Sequence, residues 1–174
     1  MRYALTYGLL TGTVIILSML AGLMFGGHGS VFGTVWFGYL IMLVALTFLF
    51  VGVKRYRDVE CGGVVKFLPA LAVGLGIAMV AALAYVAIWE VYLAMTHYAF
   101  MDDYIASIAR QKQAAGLSGA ALAREMAPFE SMRAMYRNPM IRMAMTSIEI
   151  LPVAILVAFL SAFALRFPKV LPAR

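Results

Sequence analysis

The chain has 174 residues, 64% of them hydrophobic and only 13% charged, with a formal net charge of +6 and a mean hydropathy of +0.93. Ordinary soluble domains carry about 25% charged residues, so the composition excludes a soluble globular domain and indicates an integral membrane protein. The length holds one transmembrane bundle and one extramembrane segment, and residues 1–174 read as a single transmembrane domain.

Four apolar segments follow in chain order, each longer than the ~18 residues that mark a membrane span. The first covers 4–25. It is too long for a signal-peptide core and no A-x-A-like cleavage site follows it, so it reads as a retained helix. Gly26-Gly27-His28-Gly29-Ser30 is a turn into the second segment, 31–53. Lys54-Arg55-Tyr56-Arg57-Asp58 then begins a basic loop that reaches Gly62-Gly63 and contains the single cysteine, Cys61. One cysteine allows no disulfide within the chain. The third segment covers 67–96 and the fourth 140–165, with Asn138 as cap and Pro139 at the first helical position.

The intervening 97–139 is predicted as a helical insert. Asp102-Asp103 suit the positive end of a helix that Gly116 closes. Ser118 caps a second helix, which Pro128 kinks or restarts. Leu122, Met126, Phe129, Met132 and Tyr136 recur at helical spacing, a stripe expected to lie on the membrane or to cap the bundle. Trp36, Tyr39, Trp89, Tyr92 and Tyr98 gather toward the outer helix ends, as an interfacial belt would.

Basic residues orient the bundle. Arg2, Lys54, Arg55, Arg57, Lys66, Arg166, Lys169 and Arg174 lie at the termini and in the middle loop, while 26–30 has none. Both termini are therefore expected in the cytoplasm, with 26–30 and 97–139 outside. The fold class is all-α integral membrane, four transmembrane helices with an outer (periplasmic) helical insert between the third and fourth, in a bacterial inner membrane. The positive charge is a topology signal and implies no nucleic-acid partner.

Small residues mark packing faces: Gly8, Thr11, Gly12, Ser18, Gly22 and Gly26 on the first helix, and Ala70, Gly74, Ala78 and Ala82 on the third. Such stripes let helix backbones approach closely in lipid, within one chain or between copies.

Two sets of motifs resemble a known family. One is Val53-Lys54-Arg55-Tyr56-Arg57-Asp58 with Gly62-Gly63 and Phe67. The other is Ala115-Gly116-Leu117-Ser118, Met135-Tyr136-Arg137-Asn138-Pro139, Arg142, Thr146 and Glu149-Ile150-Leu151-Pro152. Together they look like the bacterial four-helix membrane proteins catalogued as domain of unknown function 4199. The resemblance implies a four-helix inner-membrane fold with an outward insert, and brings no activity, substrate or cofactor. The family pattern often has Thr-Phe where this chain reads Thr146-Ser147, a departure beside the glutamate.

Glu149 is the main candidate site. Counting ~1.5 Å per residue from Pro139 puts it roughly 15 Å into an apolar slab about 30 Å thick. A charge there costs a few kcal/mol or more unless it is paired, hydrated or protonated. Arg142, Tyr39, Ser18 and Tyr85 are the expected partners of a buried carboxylate that binds a proton or cation. Glu90, His97 and His28, with Arg142, are expected at the outer boundary, as solvated groups or as a vestibule leading to Glu149. Lys54, Arg55 and Arg57 suit anionic lipid headgroups or a cytoplasmic partner. Methionine pairs such as Met132 and Met135 could bind Cu(I), but they double as the apolar stripe, so no metal or cofactor is expected. No nucleophile, zinc or phosphate-loop motif is present, and no enzyme is expected. Two readings remain: a small transporter or channel-like protein, possibly a homodimer, and a non-transporting accessory or scaffold protein that presents its insert or basic loop to a partner.

Overall fold

The computed structural model describes residues 1–25 and 35–172, with side chains for 1–22 and 40–172. The turn expected at 26–30, with His28, lies outside the described residues, as do the side chains of Trp36 and Tyr39. Among the described residues the chain is all helical, without strands: α1 (Arg2–Phe25), α2 (Val35–Glu60), α3 (Phe67–Met95), α4 (Phe100–Ala114), α5 (Gly119–Tyr136) and α6 (Pro139–Leu165). Three segments among the described residues, Arg2–Gly22, Phe67–Met95 and Pro139–Leu165, are long and apolar enough to cross a membrane.

Several helix ends follow their local signals; Ser118 stands at the N-cap of α5 but makes no side-chain capping bond, and there are two further exceptions. Asn138 Oδ1 accepts the Met140 amide at 3.0 Å, with Pro139 in the first turn. Gly116 takes a left-handed φ of 92°, and the Leu117 amide closes back on the Lys112 carbonyl at 3.1 Å, the pairing of a Schellman end. The first exception is the middle loop, whose first part is helical. Lys54 to Asp58 form the last turns of α2 because Lys and Arg favour helix, and Lys54 pairs with Asp58 one turn on. The stop comes at left-handed Gly62 and Gly63. The second is Pro128, which lies inside α5 and does not restart it, so of the two alternatives the restart is excluded. It lies on an exposed face, where the carbonyl it leaves without an amide partner can meet solvent.

Contacts divide the chain into two compact units, Met1–Ile88 with Ser147–Arg174, and Trp89–Thr146. In the first, α1 lies against α3 through Gly8 and Gly12. A Cβ on Gly12 would sit 2.6 Å from the Ala81 carbonyl oxygen, and one on Gly8 2.8 Å from that of Ile77. Ala70, Ala78 and Ala82 of α3 and Ala154, Ala158 and Ala162 of α6 are buried. Gly74 brings α3 against Ala158. The small-residue stripes thus serve contacts within one chain. Tyr3 at the start of α1 meets Tyr56 near the end of α2 edge-on at 5.8 Å, so these helices run antiparallel. Phe67, opening α3, meets Phe159 late in α6 at 5.3 Å.

The second unit contains a helical hairpin. Leu122, Met126, Phe129, Met132 and Tyr136 of α5 pack on Met101, Ile105 and Ile108 of α4. The stripe expected to lie on the membrane or cap the bundle is instead covered by α4, whose own apolar residues recur at i, i+4 and i+7. Lys112–Glu125 (2.8 Å) and Asp102–Arg133 (2.6 Å) join the two helices at their surface.

Candidate functional site

In the second unit Glu90 and Arg142 are locked together. Each is the sole charged residue of its helix within that unit. The Arg142 guanidinium donates from Nε to Glu90 Oε1 at 2.7 Å and from Nη2 to Oε2 at 2.6 Å, with Nη1 on the Tyr136 carbonyl at 3.2 Å. Arg142 is 5% exposed. Its cation lies 4.8 Å from the Tyr98 ring centre and 5.8 Å from that of Tyr136, an arrangement that suits the planar, weakly hydrated guanidinium. Trp89 Nε1 donates to the Tyr136 hydroxyl at 2.9 Å. Trp89 also stacks on Tyr92 and meets Phe100 edge-on.

His97 is exposed and has a left-handed φ of 52°, followed by Tyr98 at 59°. The Tyr98 amide bonds to the Leu93 carbonyl at 2.7 Å, so His97 fills the helix-ending position that glycine usually takes. Among the described residues the outer ionisable groups do not converge as one ring, and His28, the remaining member expected there, lies outside them. Glu90 and Arg142 neutralise each other, which an apolar setting demands of any two such charges, and His97 serves the backbone.

In the first unit Glu149 meets Tyr85. The buried Tyr85 hydroxyl lies 3.4 Å from Glu149 Oε2 and 3.0 Å from Met19 Sδ. Glu149 itself is exposed, that is, uncovered by the protein's own residues. The expected partner Tyr85 is in place, but Glu149 is not fully enclosed in the bundle as expected. The buried face of α6 is set by Ile150, Ala154, Ala158 and Ala162. Glu149 starts 100° round the helix from Ile150, at the edge of a seam whose alanines leave no room for a carboxyl. Of the other expected partners, Ser18 is half-buried on α1 and Arg142 is committed to Glu90. Pro152 is exposed and α6 continues through it.

The basic end of the first unit separates the three loop cations. Arg57 is fully buried. It donates from Nε to Asp58 Oδ1 at 2.7 Å, from Nη1 to the Val170 carbonyl at 2.8 Å, and from Nη2 to that of Leu171. It clamps the segment after α6 and does not face lipid headgroups, because its guanidinium supplies the donors those carbonyls lack. Burial pushes the Asp58 carboxyl up, but hydrogen bonds from Lys54 and Arg57 outweigh it and hold the group below the usual carboxylate range. Lys54 is tied to Asp58. Arg55 stays exposed, with no carboxylate partner among the described residues.

Sequence counting missed the Arg57 clamp, since nothing local points to backbone carbonyls more than a hundred residues away. It also missed the Glu90–Arg142 pair, although Glu90 is the one charge in the third apolar segment. That signal was there to use.

A family model described as Protein of unknown function (DUF4199) matches residues 6–166. The chain belongs to this family. The DUF4199 match contains Arg57, Glu90, Arg142 and Glu149, while Tyr3 and the clamped carbonyls of Val170 and Leu171 fall outside it. No curated protein and no solved structure matches this DUF4199 chain.

Proposed function

We propose that this chain is a four-span protein of the bacterial inner membrane that binds a proton or cation at Glu149, on a face shared with a second copy, and acts as a small transporter or channel. The fourth span is α2, whose residues 35–53 include no charge. Both termini are cytoplasmic and the α4–α5 hairpin is outside. Tyr3 donates to Glu60 at 3.0 Å, and Arg57 holds Val170 and Leu171. These bonds gather the start of α1, the end of α2 and the tail at one end, which carries most of the basic residues outside the hairpin.

One observation carries the functional reading: Glu149 is uncovered and meets Tyr85 only at 3.4 Å. A carboxylate uncovered within an apolar slab has to be neutral, ion-bound or matched by another polar group. A second copy placing its own Glu149 opposite supplies the match, since two carboxyls can share a proton or hold a cation between them.

Oligomeric mass in mild detergent and ion flux in liposomes test this. The wild-type chain should be dimeric and show pH-dependent flux. Glu149→Gln should stay dimeric and lose the flux, because an amide pairs like a neutral acid but releases no proton. A monomeric wild type without flux would end the proposal. The closed Glu90–Arg142 pair favours a second reading, an accessory protein that presents its hairpin to a partner. A wild-type dimer without flux would select it.

A further inference from the structure

We propose that the cleft between α1 and α2 binds the phosphate headgroup of an anionic glycerophospholipid. A cavity of about 380 Å³ opens there, lined by Arg2, Tyr3, Thr6, Tyr7, Arg55 and Val59. That volume lies within the roughly 300–1,000 Å³ of small-ligand sites. Two guanidinium groups, a hydroxyl and two phenols converge on it, and the lining holds no carboxylate. Glu60 stands nearby and engages Arg2 at 3.6 Å and the Tyr3 hydroxyl at 3.0 Å. Arg55 remains as the uncompensated charge. Its guanidinium offers the forked donors that suit phosphate oxygens.

The surroundings select a lipid over a soluble phosphate. Following the faces that line the cleft toward the middle of each helix, Arg2 and Thr6 lead to Leu9, and Tyr3 leads to Leu10. On α2, Arg55 leads to Val51 and Val44. All four of these apolar side chains are exposed. A basic cleft continuous with an uncovered apolar strip matches a molecule with an anionic head and acyl chains. The two neighbouring cations of α2 are accounted for differently, Arg57 by the tail and Lys54 by Asp58. The inference rests on this end lying at headgroup level and is independent of Glu149, so the two sites succeed or fail separately.

Native mass spectrometry of the full chain in mild detergent tests it, with phosphatidylglycerol, phosphatidylcholine and inorganic phosphate as probes. Phosphatidylglycerol should bind in preference to phosphatidylcholine. Arg55→Gln should lower its affinity about fivefold, the share of a basic side chain near an anionic surface. Arg2→Gln should weaken it too, while Lys169→Gln, at the same end but outside the cleft, should not. Arg55 has no carboxylate partner among the described residues, and unchanged thermal unfolding of Arg55→Gln establishes that the fold is intact. Equal binding of the two lipids, or unaltered phosphatidylglycerol binding by Arg55→Gln, would overturn the proposal. So would displacement of the lipid by millimolar inorganic phosphate, which would assign the cleft to a free anion.

Discussion

Buried charge in this protein is managed by pairing, and the Glu90–Arg142 contact shows how much depends on both partners. Its two parallel hydrogen bonds, 2.7 and 2.6 Å long, compensate two desolvated groups at once. Glu90→Ala should therefore destabilise the fold by about 3–5 kcal/mol, since Arg142 would be left buried without its counter-charge. Glu90→Leu combined with Arg142→Met should recover most of that loss, because no charge then needs compensation. Thermal or denaturant unfolding in detergent reads both values. A double variant as unstable as Glu90→Ala would mean that the Tyr98 and Tyr136 contacts of the guanidinium, not its charge pairing, hold the cluster. Glu149 is the contrasting residue. Its place along α6 was legible by counting from Pro139, but its direction was not, because a 100° step decides between seam and surface. Glu149→Ala should accordingly cost little in the isolated protomer, beyond the weak 3.4 Å bond to Tyr85.

At the scale of helices, close approach through glycine is the strongest constraint. A methyl group at Gly12 would lie 2.6 Å from the Ala81 carbonyl oxygen and 2.9 Å from the Ala84 Cβ. Backbone cannot yield as a flexible side chain can, so Gly12→Ala should separate α1 from α3 and cost about 1–3 kcal/mol. Gly76→Ala meets only the Ala4 Cβ at 3.3 Å and should be milder, so equal losses would refute the packing account. The α4–α5 hairpin offers an independent test by pH. The Arg133 hydrogen bond holds the Asp102 carboxyl below its usual range, and that of Lys112 does the same for Glu125. Groups depressed in the folded state stabilise it above their ordinary values, near pH 4, and that support fades as pH falls through the depressed ones. Amide exchange in 100–136 should rise below about pH 4 and stay flat between pH 6 and 8, though only modestly because both pairs are exposed. Caps and breaks here were readable, since Asn138-Pro139 and Gly116 act through their own backbone. The end of α2 was not, because charged residues that suit a loop also extend a helix when Lys54 and Asp58 fall one turn apart.

For the molecule as a whole, hydropathy and small-residue spacing were enough to indicate an all-helical chain with membrane-spanning segments. What they could not supply is which residue covers which. The α5 stripe needed an apolar face, and the sequence offered lipid, bundle or another helix with equal chemistry; only the register of Met101, Ile105 and Ile108 decides for α4. Orientation in the membrane is the remaining global property, and the one proposed above rests on where the cations sit. Arg2, Lys54, Arg55, Lys66, Arg166 and Lys169 flank short connections or the chain ends, where positive charge resists translocation. The bonds from Tyr3 to Glu60 and from Arg57 to Leu171 tie that set to one end of the first unit. Replacing Cys61, the chain's single cysteine, by serine gives a background for site-directed labelling. In intact spheroplasts an impermeant maleimide should modify Ala120→Cys, which is exposed at the start of α5, and should reach Lys169→Cys only after lysis. The reverse pattern would invert the protein. Labelling of both positions before lysis would place 120 and 169 on one side, which requires an even number of spans between them and contradicts α6 as a single crossing.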